Sequence, residues 1–567
     1  MSHLPGLNVL LLCVTLTKQL SMRKYLLTSW LLISISIASI GQTFNSATRV
    51  KSFIKVWGFL KYYSPLIAEK NVDWDSVFMK NVIDISDAKT IREFNIKMLG
   101  VINSAGKVPE LKQQKMPDSL FLMNKTSTEW ITTSTVFNND VKKGLLFIYA
   151  NKNQGINRYI KIVHNIFDFS GETKYDNIGF PDVKYRLLFL SRFWNIINYF
   201  GPYKYLVGEN WNNVLIRFIP KFLNVTDTVA YYKTWLELAK SLHDGHSQLI
   251  LYNQDTPIND LAFGEYTVPF YCQILNGMVV VRKISDDSLC KKAGIKRGDI
   301  ILKMDNEPME KQIQLKRKYI SASNSLSEDH YLSWYILYGQ TPIVHLTVKR
   351  GDSIFTTSIK RISSAENFQK NWRDIINYTS GNSVCKKFAD SILLIYAAQI
   401  WSGNIDTVRS LIKQSNAIIF DVRNYPYGGN YAIYNIFDIF FHKAKIINYS
   451  TSALPNFPGL FKWKPSEKIG GINKELYNGK VIILCDERTQ SQGEYTCMAL
   501  QTIPNSITIG TQTAGADGNV TLIPVGGGLS ISYSGFGIYY PDKTQTQRTG
   551  IKINIPVRKT IEAIKKQ

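Results

Sequence analysis

Runs of like charge and low-complexity tracts are both missing from this chain of 567 residues. Its formal net charge is +23, yet the Lys and Arg residues are scattered singly, without a run of five or six. Nucleic-acid-binding proteins concentrate their basic residues on one face or along one segment, so the dispersion argues against a nucleic-acid partner. The composition, 45% hydrophobic and 20% charged, is globular, and the length predicts three or four domains.

A regular cysteine pattern is missing as well. Cys13 lies in a segment that we expect to be removed, and the remaining cysteines are odd in number and irregular in spacing. This pattern is neither a disulfide framework nor a set of metal ligands. We therefore expect most of them to be small core residues; they are Cys272, Cys290, Cys385, Cys485 and Cys497.

The N-terminus has the pattern of a signal peptide. Met22-Arg23-Lys24 is a charged start, Leu26–Ile40 is apolar, and small residues precede Gln42. We predict that residues 1–41 are removed, that Met22 is the true start and that the mature protein is periplasmic or secreted. The alternative is an N-terminal membrane anchor, although the apolar stretch is short and Ser-rich for a span.

The first part of the mature chain contains a duplication. Four residues recur 137 positions later, since Arg49, Trp57, Pro65 and Trp74 are matched by Arg186, Trp194, Pro202 and Trp211. Apolar residues at three- and four-residue steps predict amphipathic helices broken by a proline turn. We assign residues 42–175 to a first helical repeat and 176–254 to a second. A small β insert, with strands at Gly144–Asn151 and Arg158–His164, is predicted between them.

Short strands and turns predominate from residue 255 to 362. Met278–Val281 predicts a strand, Ser288–Ile295 a short helix with a glycine terminus, and Arg297–Asp305 a turn and strand. The order Ala293-Gly294-Ile295 followed by Gly298-Asp299 resembles a PDZ domain. Two interpretations stay open, a structural spacer and the capture of a peptide carboxylate by backbone amides beside a strand.

Strands and helices alternate from Ser391 onward, and we assign residues 363–567 to the last domain. This alternation predicts an α/β unit with a largely parallel sheet. The strands are predicted at Leu393–Ala398, Ala417–Val422, Lys480–Cys485 and Ser506–Ile509, and the helices at Val408–Gln414, Ala432–Phe441 and Gly493–Gln501.

Two residues, His246 and Ser491, carry the chemistry that we expect. A serine nucleophile needs a base, and histidine is the usual one. Ser491 follows a predicted strand and opens a helix, whose N-terminus favours developing negative charge. Gly428-Gly429 follows another strand, where backbone N–H groups can face a substrate oxygen. Each feature alone is weak, because glycine pairs mark plain turns and serine is a common helix N-cap.

Taken together, these features resemble the S41 peptidases, the family of the C-terminal processing and tricorn-type proteases. The resemblance runs from about Lys184 to the end and includes the PDZ-like segment. Its motifs occur in the family's order: Asp244-Gly245-His246-Ser247 in a segment predicted to be helical, Asp421-Val422-Arg423-Asn424 before Gly428-Gly429, Ser491-Gln492-Gly493-Glu494, Gly510–Gly515 and Gly550–Val557.

The resemblance implies one of two mechanisms. The processing proteases pair the serine with a lysine directly after the glycine of T-x-G, and Ala516 occupies that position here. The tricorn-like branch pairs it with the histidine of the D-G-H motif, which implies His246, although His243 competes with it. Its acid partner comes from the C-terminal region, where Asp542 is the nearest candidate.

We therefore expect a multidomain chain with helical repeats, a PDZ-like β domain and an S41-type α/β catalytic domain. The expected function is that of an exported serine endopeptidase. Ser491 attacks the scissile carbonyl, His246 transfers the proton, and the amides of Gly429 and Gln492 hold the oxyanion. We expect a peptide or protein substrate, no cofactor and no membrane span after signal cleavage. The alternatives are a catalytically inactive relative that binds peptides through its PDZ domain and groove, and a hydrolase of non-peptide esters.

Overall fold

The computed structural model describes residues 44–69, 72–112, 120–121, 128–164, 166–251, 258–367, 383–389, 391–426, 431–471, 473 and 475–566. The predicted signal segment lies outside the described residues. Among the residues that are described, no helix is both long and apolar enough to cross a bilayer.

The first repeat is mainly helical. Its helices are α1 (Ser46–Tyr63), α2 (Pro65–Glu69), α3 (Trp74–Ser86), α4 (Ile91–Ser104), α5 (Glu129–Thr132) and α6 (Asn139–Ala150), and its strands are β1 (Leu120–Phe121), β2 (Lys161–Val163) and β3 (Ile166–Asp168). The second repeat contains α7 (Val183–Phe200), α8 (Trp211–Asn224), α9 (Thr228–Lys240) and β4 (Leu249–Leu251).

The same internal contacts occur in each of the two repeats. Trp57 and Trp74 each donate the indole N–H to the other's carbonyl, at 3.0 Å in both directions. Trp194 and Trp211 repeat this exchange at 2.8 and 3.0 Å. The matched arginines also make equivalent contacts. Arg49 donates to the carbonyl of Ser86, at the end of α3, and to that of Phe44, five residues before it. Arg186 donates to the carbonyls of Phe222 and Leu223, at the end of α8, and to that of Pro181, five residues before it.

One predicted strand of the β insert is wrong. Gly144–Asn151 lies almost entirely in α6, whose buried residues Val141, Leu145 and Ile148 recur at helical spacing. Asn138 caps this helix by accepting from the N–H of Val141. The run from Leu145 to Ala150 is continuously apolar, so its composition alone does not separate a buried strand from a helix. The second predicted strand is found, shortened to β2, and pairs with β3.

A buried charge cluster of Lys61, Asp75, Glu172 and Arg192 joins the repeats. Lys61 contacts Glu172 at 2.7 Å and Asp75 at 3.7 Å, and Arg192 contacts the same acids at 3.0 and 2.9 Å. Arg192 also donates to the carbonyl of Pro524 at 3.1 Å, a residue of the C-terminal unit. Two cations face two anions, so each buried charge has a partner.

Residues 258–363 form a unit with a five-strand antiparallel path, β11-β10-β8-β7-β6. The strand β6 (Phe270–Leu275) lies at one edge, and α13 (Ser325–Tyr335) packs against it. The elements are α10 (Ile258–Phe263), β5 (Tyr266–Thr267), β6 (Phe270–Leu275), β7 (Met278–Ile284), α11 (Asp287–Lys292), β8 (Ile300–Met304), β9 (Glu307–Pro308), α12 (Met309–Arg317), α13 (Ser325–Tyr335), β10 (Ile343–Arg350), β11 (Ser353–Lys360) and β12 (Ile362–Ser363).

The C-terminal unit is built on the sheet β13-β14-β15-β20-β21-β25. Its first pair is antiparallel, and the remaining pairs are parallel. The sheet strands are β13 (Cys385–Ala389), β14 (Ile392–Tyr396), β15 (Ala417–Asp421), β20 (Lys480–Cys485), β21 (Ile507–Gly510) and β25 (Ile555–Pro556). Helices α14 (Ile405–Lys413), α15 (Gln492–Gln501) and α16 (Ile561–Lys566) accompany it, whereas the predicted helix at Ala432–Phe441 is a 3-10 helix over Tyr431–Ile439.

Smaller strands connect this unit to the repeats. They are β16 (Lys445–Ile446), β17 (Tyr449–Ala453), β18 (Phe461–Pro465), β19 (Lys468–Ile469), β22 (Val520–Gly526), β23 (Leu529–Ser534) and β24 (Ile538–Tyr539). The sheet β22-β23-β4 matters most, because β4 belongs to the second repeat. Ile523 and Ile531 on this sheet are fully buried in the same core as the repeat helices. This pairing carries the D-G-H motif into the C-terminal unit.

Candidate active site

Ser491 lies at the turn between β20 and α15, with φ 53° and ψ −120°. A non-glycine residue with positive φ is strained, and such strain is common at functional sites. The backbone N–H of Ser491 donates to the carbonyl of Ala516 at 2.9 Å. Its side chain forms no capping bond with the helix that it opens. Helix capping, the ordinary role of a serine at this position, therefore does not explain Ser491.

Glu494 fixes the loop that follows β21. It accepts from the hydroxyl of Thr513 at 2.5 Å and from the backbone N–H groups of Gly515 and Ala516 at 2.8 and 2.9 Å. Burial raises the pKa of Glu494 to about 7, although these hydrogen bonds favour the charged form. Because Ala516 also accepts from Ser491, Glu494 connects the nucleophile turn to this loop.

His246 lies in a loop between α9 and β4, and not in a helical segment as predicted. The antiparallel pairing of β4 with β23 sets Leu249 opposite Ile531 and Ile250 opposite Ser530. Continuing this register sets His246 opposite Ser534, and the two side chains do meet, with His246 Nδ1 2.9 Å from Ser534 Oγ. Burial lowers the pKa of His246 below its ordinary 6.5, and the Asp244 carboxylate opposes part of this shift.

Asp244 lies at the centre of the hydrogen bonds around His246. Its Oδ1 accepts from Ser534 Oγ at 2.9 Å, from the His246 N–H at 3.0 Å and from Gln547 Nε2 at 3.1 Å. Its Oδ2 accepts from the Ser534 N–H at 2.7 Å. Asp244 and Ser534 are both buried. The D-G-H loop is thereby fixed to the end of β23.

The histidine loop and the nucleophile turn meet at Gly245. Gln490 Nε2, next to Ser491, lies 3.3 Å from the carbonyl of Gly245. A Cβ added to Gly245 would lie 3.1 Å from the Cβ of Ala516, so the two loops are in close contact. The described contacts join the neighbours of Ser491 and His246, and not the two side chains themselves. Hydrogen bonds between catalytic groups often tighten only when substrate binds.

Asp542, which the sequence predicted as the acid partner of His246, makes its described contacts with Thr544 and Lys552 instead. It accepts from the Thr544 N–H at 2.9 Å and pairs with Lys552 at 3.1 Å, with more than half of its side chain exposed. The hydrogen bonds from Thr544 lower the pKa of Asp542 to about 2. The acid close to His246 is instead Asp244, from the histidine's own motif.

His243 points to a different environment. It lines an open cleft of about 610 Å³ together with charged side chains that include Glu209, Arg217 and Lys240. Burial lowers the pKa of His243, and the cations Arg548 and Lys240 lower it further. His246 therefore differs from His243 in its contacts with Asp244 and Ser534.

Only one of the two predicted oxyanion groups lies among the described residues. Gln492 is the first residue of α15, where backbone N–H groups have no partner within the helix. Its side chain donates to the hydroxyl of Tyr434 at 2.7 Å. Gly429 lies outside the described residues, although Val422, shortly before it, accepts from Thr489 of the nucleophile turn at 3.1 Å.

The unit of residues 258–363 holds both loops from one side. Ser323 Oγ accepts from the Gly245 N–H at 2.8 Å, and Asn324 Nδ2 donates to the carbonyls of Thr513 and Ala514 at 2.8 and 3.0 Å. The Tyr331 hydroxyl donates to Gln490. In the described part of the chain, no group of three or more His, Cys, Asp and Glu residues has the arrangement of a metal site.

Residues 394–557 match the family model for peptidase family S41. This part of the chain belongs to peptidase family S41. The match includes Ser491, Ala516 and Ser534, whereas His246 lies before it in the sequence. No curated protein sequence matches the chain.

The fold of the chain resembles that of CPAF. The structure of mature CPAF complexed with lactacystin superposes with a TM-score of 0.53 at 13% identity, over 68% of this chain and 95% of that chain. A second structure of mature CPAF gives 0.53 at 12% identity, over 68% and 94%. At these identities the likeness is one of fold.

Two residues of this candidate site, Asp244 and Ser534, are not among the site residues that the sequence predicted. The signal for Asp244 lies in the motif itself, because a carboxylate two residues before His246 can accept the histidine's backbone N–H. Ser534 belongs to the alternation Ser530, Ser532, Ser534 on β23, which sets a polar face on a buried strand. That alternation is the signal that could have indicated it.

Proposed function

We propose that the chain is an exported serine endopeptidase in which Ser491 is the nucleophile and His246 the general base. The S41 family membership of residues 394–557 supports a hydrolase that acts on peptides or proteins. The conformation of Ser491 carries the assignment. It is a strained serine at a helix N-terminus whose hydroxyl does not cap that helix.

The proposed reaction begins with proton transfer from Ser491 Oγ to His246 Nε2. The Oγ attacks the scissile carbonyl carbon, and the resulting oxyanion is held by the Gln492 and Gly429 N–H groups. The imidazolium then donates its proton to the leaving amine as the C–N bond breaks, which leaves an acyl-enzyme. Water, deprotonated by the same imidazole, hydrolyses the ester and restores Ser491.

Turnover of peptide substrates by matched serine variants tests this proposal. Ser491→Ala should lower kcat by roughly a thousandfold or more, because only oxyanion stabilisation and binding remain. Ser506→Ala, in the turn that follows α15, serves as the control and should retain wild-type turnover. Wild-type turnover in Ser491→Ala would overturn the assignment.

The same assay distinguishes the rival functions. A catalytically inactive relative would bind peptides without hydrolysing them, and its binding would be the same in the wild type and in Ser491→Ala. An esterase on the same machinery would hydrolyse small acyl esters and leave peptides intact. The enzyme proposed here should hydrolyse both through Ser491, since acylation of serine is common to the two reactions.

We propose that the PDZ-like unit positions the catalytic loops rather than recruiting peptide C-termini. In a PDZ domain a peptide adds to the edge strand beside a helix. Here the edge strand is β6, and the N–H of Ile274 on it is taken by Ser333 Oγ of α13 at 2.9 Å. Peptides with a free and an amidated C-terminus should therefore be hydrolysed alike, and a strong preference for the free carboxylate would contradict this role.

The proposal of export rests on the sequence of residues 22–41. Mass spectrometry of the native protein should find Gln42 at the N-terminus and the protein outside the cytoplasm. An N-terminus at Met22 would make it a membrane-anchored enzyme instead. A retained segment on a cytoplasmic protein would contradict export.

A further inference from the structure

We propose that Asp244 is the acid partner of His246 and acts through Ser534 as a positioning relay. The inference rests on the proposed function and deepens it. The family resemblance implies an acid from the C-terminal region, but Gln547 contributes an amide there that donates to Asp244. The acid is instead two residues from the histidine in sequence, and a serine 288 residues away connects them.

The direction of each hydrogen bond follows from what the groups can donate. Every described partner of Asp244 is an N–H or O–H group, as an acceptor-only carboxylate requires. The single hydroxyl proton of Ser534 therefore points to Asp244 Oδ1. Ser534 Oγ can therefore only accept from His246, through a lone pair, so His246 Nδ1 carries the proton.

This tautomer is the one that a general base for Ser491 needs. With the proton on Nδ1, the lone pair of the neutral imidazole is on Nε2, the nitrogen that the relay leaves unused. When Nε2 takes the proton from Ser491, the imidazolium keeps its Nδ1–H bond to Ser534. The Asp244 carboxylate then stabilises the positive charge, and no proton has to move along the relay.

The geometry also explains why the relay is rigid. Asp244 binds Ser534 twice, through the hydroxyl at 2.9 Å and the backbone N–H at 2.7 Å. Ser532, two residues earlier on the same face of β23, donates to the carbonyl of His246 at 2.6 Å. The ring and its backbone are thus held by one strand, and the strand is fixed to the histidine loop by the β4–β23 register.

The most direct test is the tautomer of His246, measured by NMR on protein labelled with ¹⁵N in the histidine rings. The chain has seven histidines, so the spectrum is small, and His246→Gln identifies the signals. In the neutral state, wild-type His246 should be protonated at Nδ1. Ser534→Ala should shift the population toward Nε2–H. An Nε2–H tautomer in the wild type, or an unchanged Nδ1–H tautomer in Ser534→Ala, would overturn the relay.

Kinetics supply a second measurement. Asp244→Asn should lower kcat by roughly a hundred- to ten-thousandfold, the range that a general base contributes, with a smaller effect on KM. Ser534→Ala should be less severe, and Ser534→Thr, which keeps a hydroxyl, should recover activity. Ser530→Ala, on the same face of β23, is the matched control. Thermal melting of each variant identifies any that fail to fold.

These outcomes separate the relay from the proposed function. If Ser491→Ala abolishes hydrolysis but Ser534→Ala keeps both wild-type kcat and the Nδ1–H tautomer, the relay is wrong and the serine peptidase stands. If the tautomer responds as expected while no variant of Ser491 changes turnover, the relay stands as geometry and the assignment of the nucleophile fails.

Discussion

Gly58 of the first repeat lies directly against Asn195 of the second. Asn195 is also the residue that corresponds to Gly58 in the duplication, 137 positions later. A Cβ added to Gly58 would lie 2.0 Å from Asn195 Cγ. The asparagine has little freedom to move, since its Nδ2 donates to the carbonyls of Ile54 and Ser191 at 3.0 and 2.9 Å. The two copies of the repeat therefore meet where one has glycine and the other asparagine.

Gly58→Ala should destabilise the protein by about 1–3 kcal/mol, the usual cost of overpacking a core. Asn195→Ala in the same chain should remove the clash, so the double variant should be less destabilised than the sum of the two single variants. Thermal or chemical denaturation of the four proteins measures this coupling. Strict additivity would mean that the two helices do not meet at these residues.

His246→Ala should reduce turnover nearly as much as Ser491→Ala, because the nucleophile loses its base. His243→Ala is the matched control, three residues earlier in the same loop. It should be clearly less damaging, since no described hydrogen bond ties the His243 ring to Asp244 or Ser534. Should His243→Ala prove the more severe substitution, the choice of base would be wrong.

The value of kcat/KM should rise with pH as His246 loses its proton. Burial lowers the pKa of this histidine, so the midpoint should lie below the ordinary 6.5. Among the described residues, Asp244 carries the charge that opposes this shift, so Asp244→Asn should move the midpoint to still lower pH. A pH profile from 4 to 8 on wild type and variant checks both directions, and a flat profile would argue against a histidine base.

Ala516→Lys should not increase activity. The processing proteases carry their lysine at this position, but Ala516 is fully buried here, and its Cβ faces Gly245 at close range. A lysine has no room between the two loops, so we expect a loss of turnover or of folded protein. A large gain in peptide hydrolysis would show that a Ser/Lys pair suits this site and that His246 is structural.

Local pattern was sufficient for much of the fold. The predicted strands in the C-terminal unit coincide with β14, β15, β20 and β21 to within two residues at each end, because buried strands are short apolar runs between turns. The duplication was also visible, since four fixed spacings survive in the sequence. The helix α6 was predicted as a strand, because its continuous apolar run from Leu145 to Ala150 shows no helical periodicity.

The site depended on contacts that no local pattern contains. Ser491 and His246 could be selected from their motifs, but the partner of His246 follows from the pairing of β4 with β23, which are far apart in sequence. The resemblance implied an acid near the C-terminus, with Asp542 as the nearest candidate, but its exposed position could not be predicted from its neighbours in sequence. Strand pairing over such a separation is a property of the tertiary fold.

Labelling by a fluorophosphonate, with mapping of the modified residue, tests the central claim most directly. The mature protein should be labelled once, at Ser491, and Ser491→Ala should not react. His246→Ala should react far more slowly, because the serine then has no base. A label on any other residue, or wild-type protein that stays unlabelled while folded, would contradict the assignment of a Ser491–His246 peptidase.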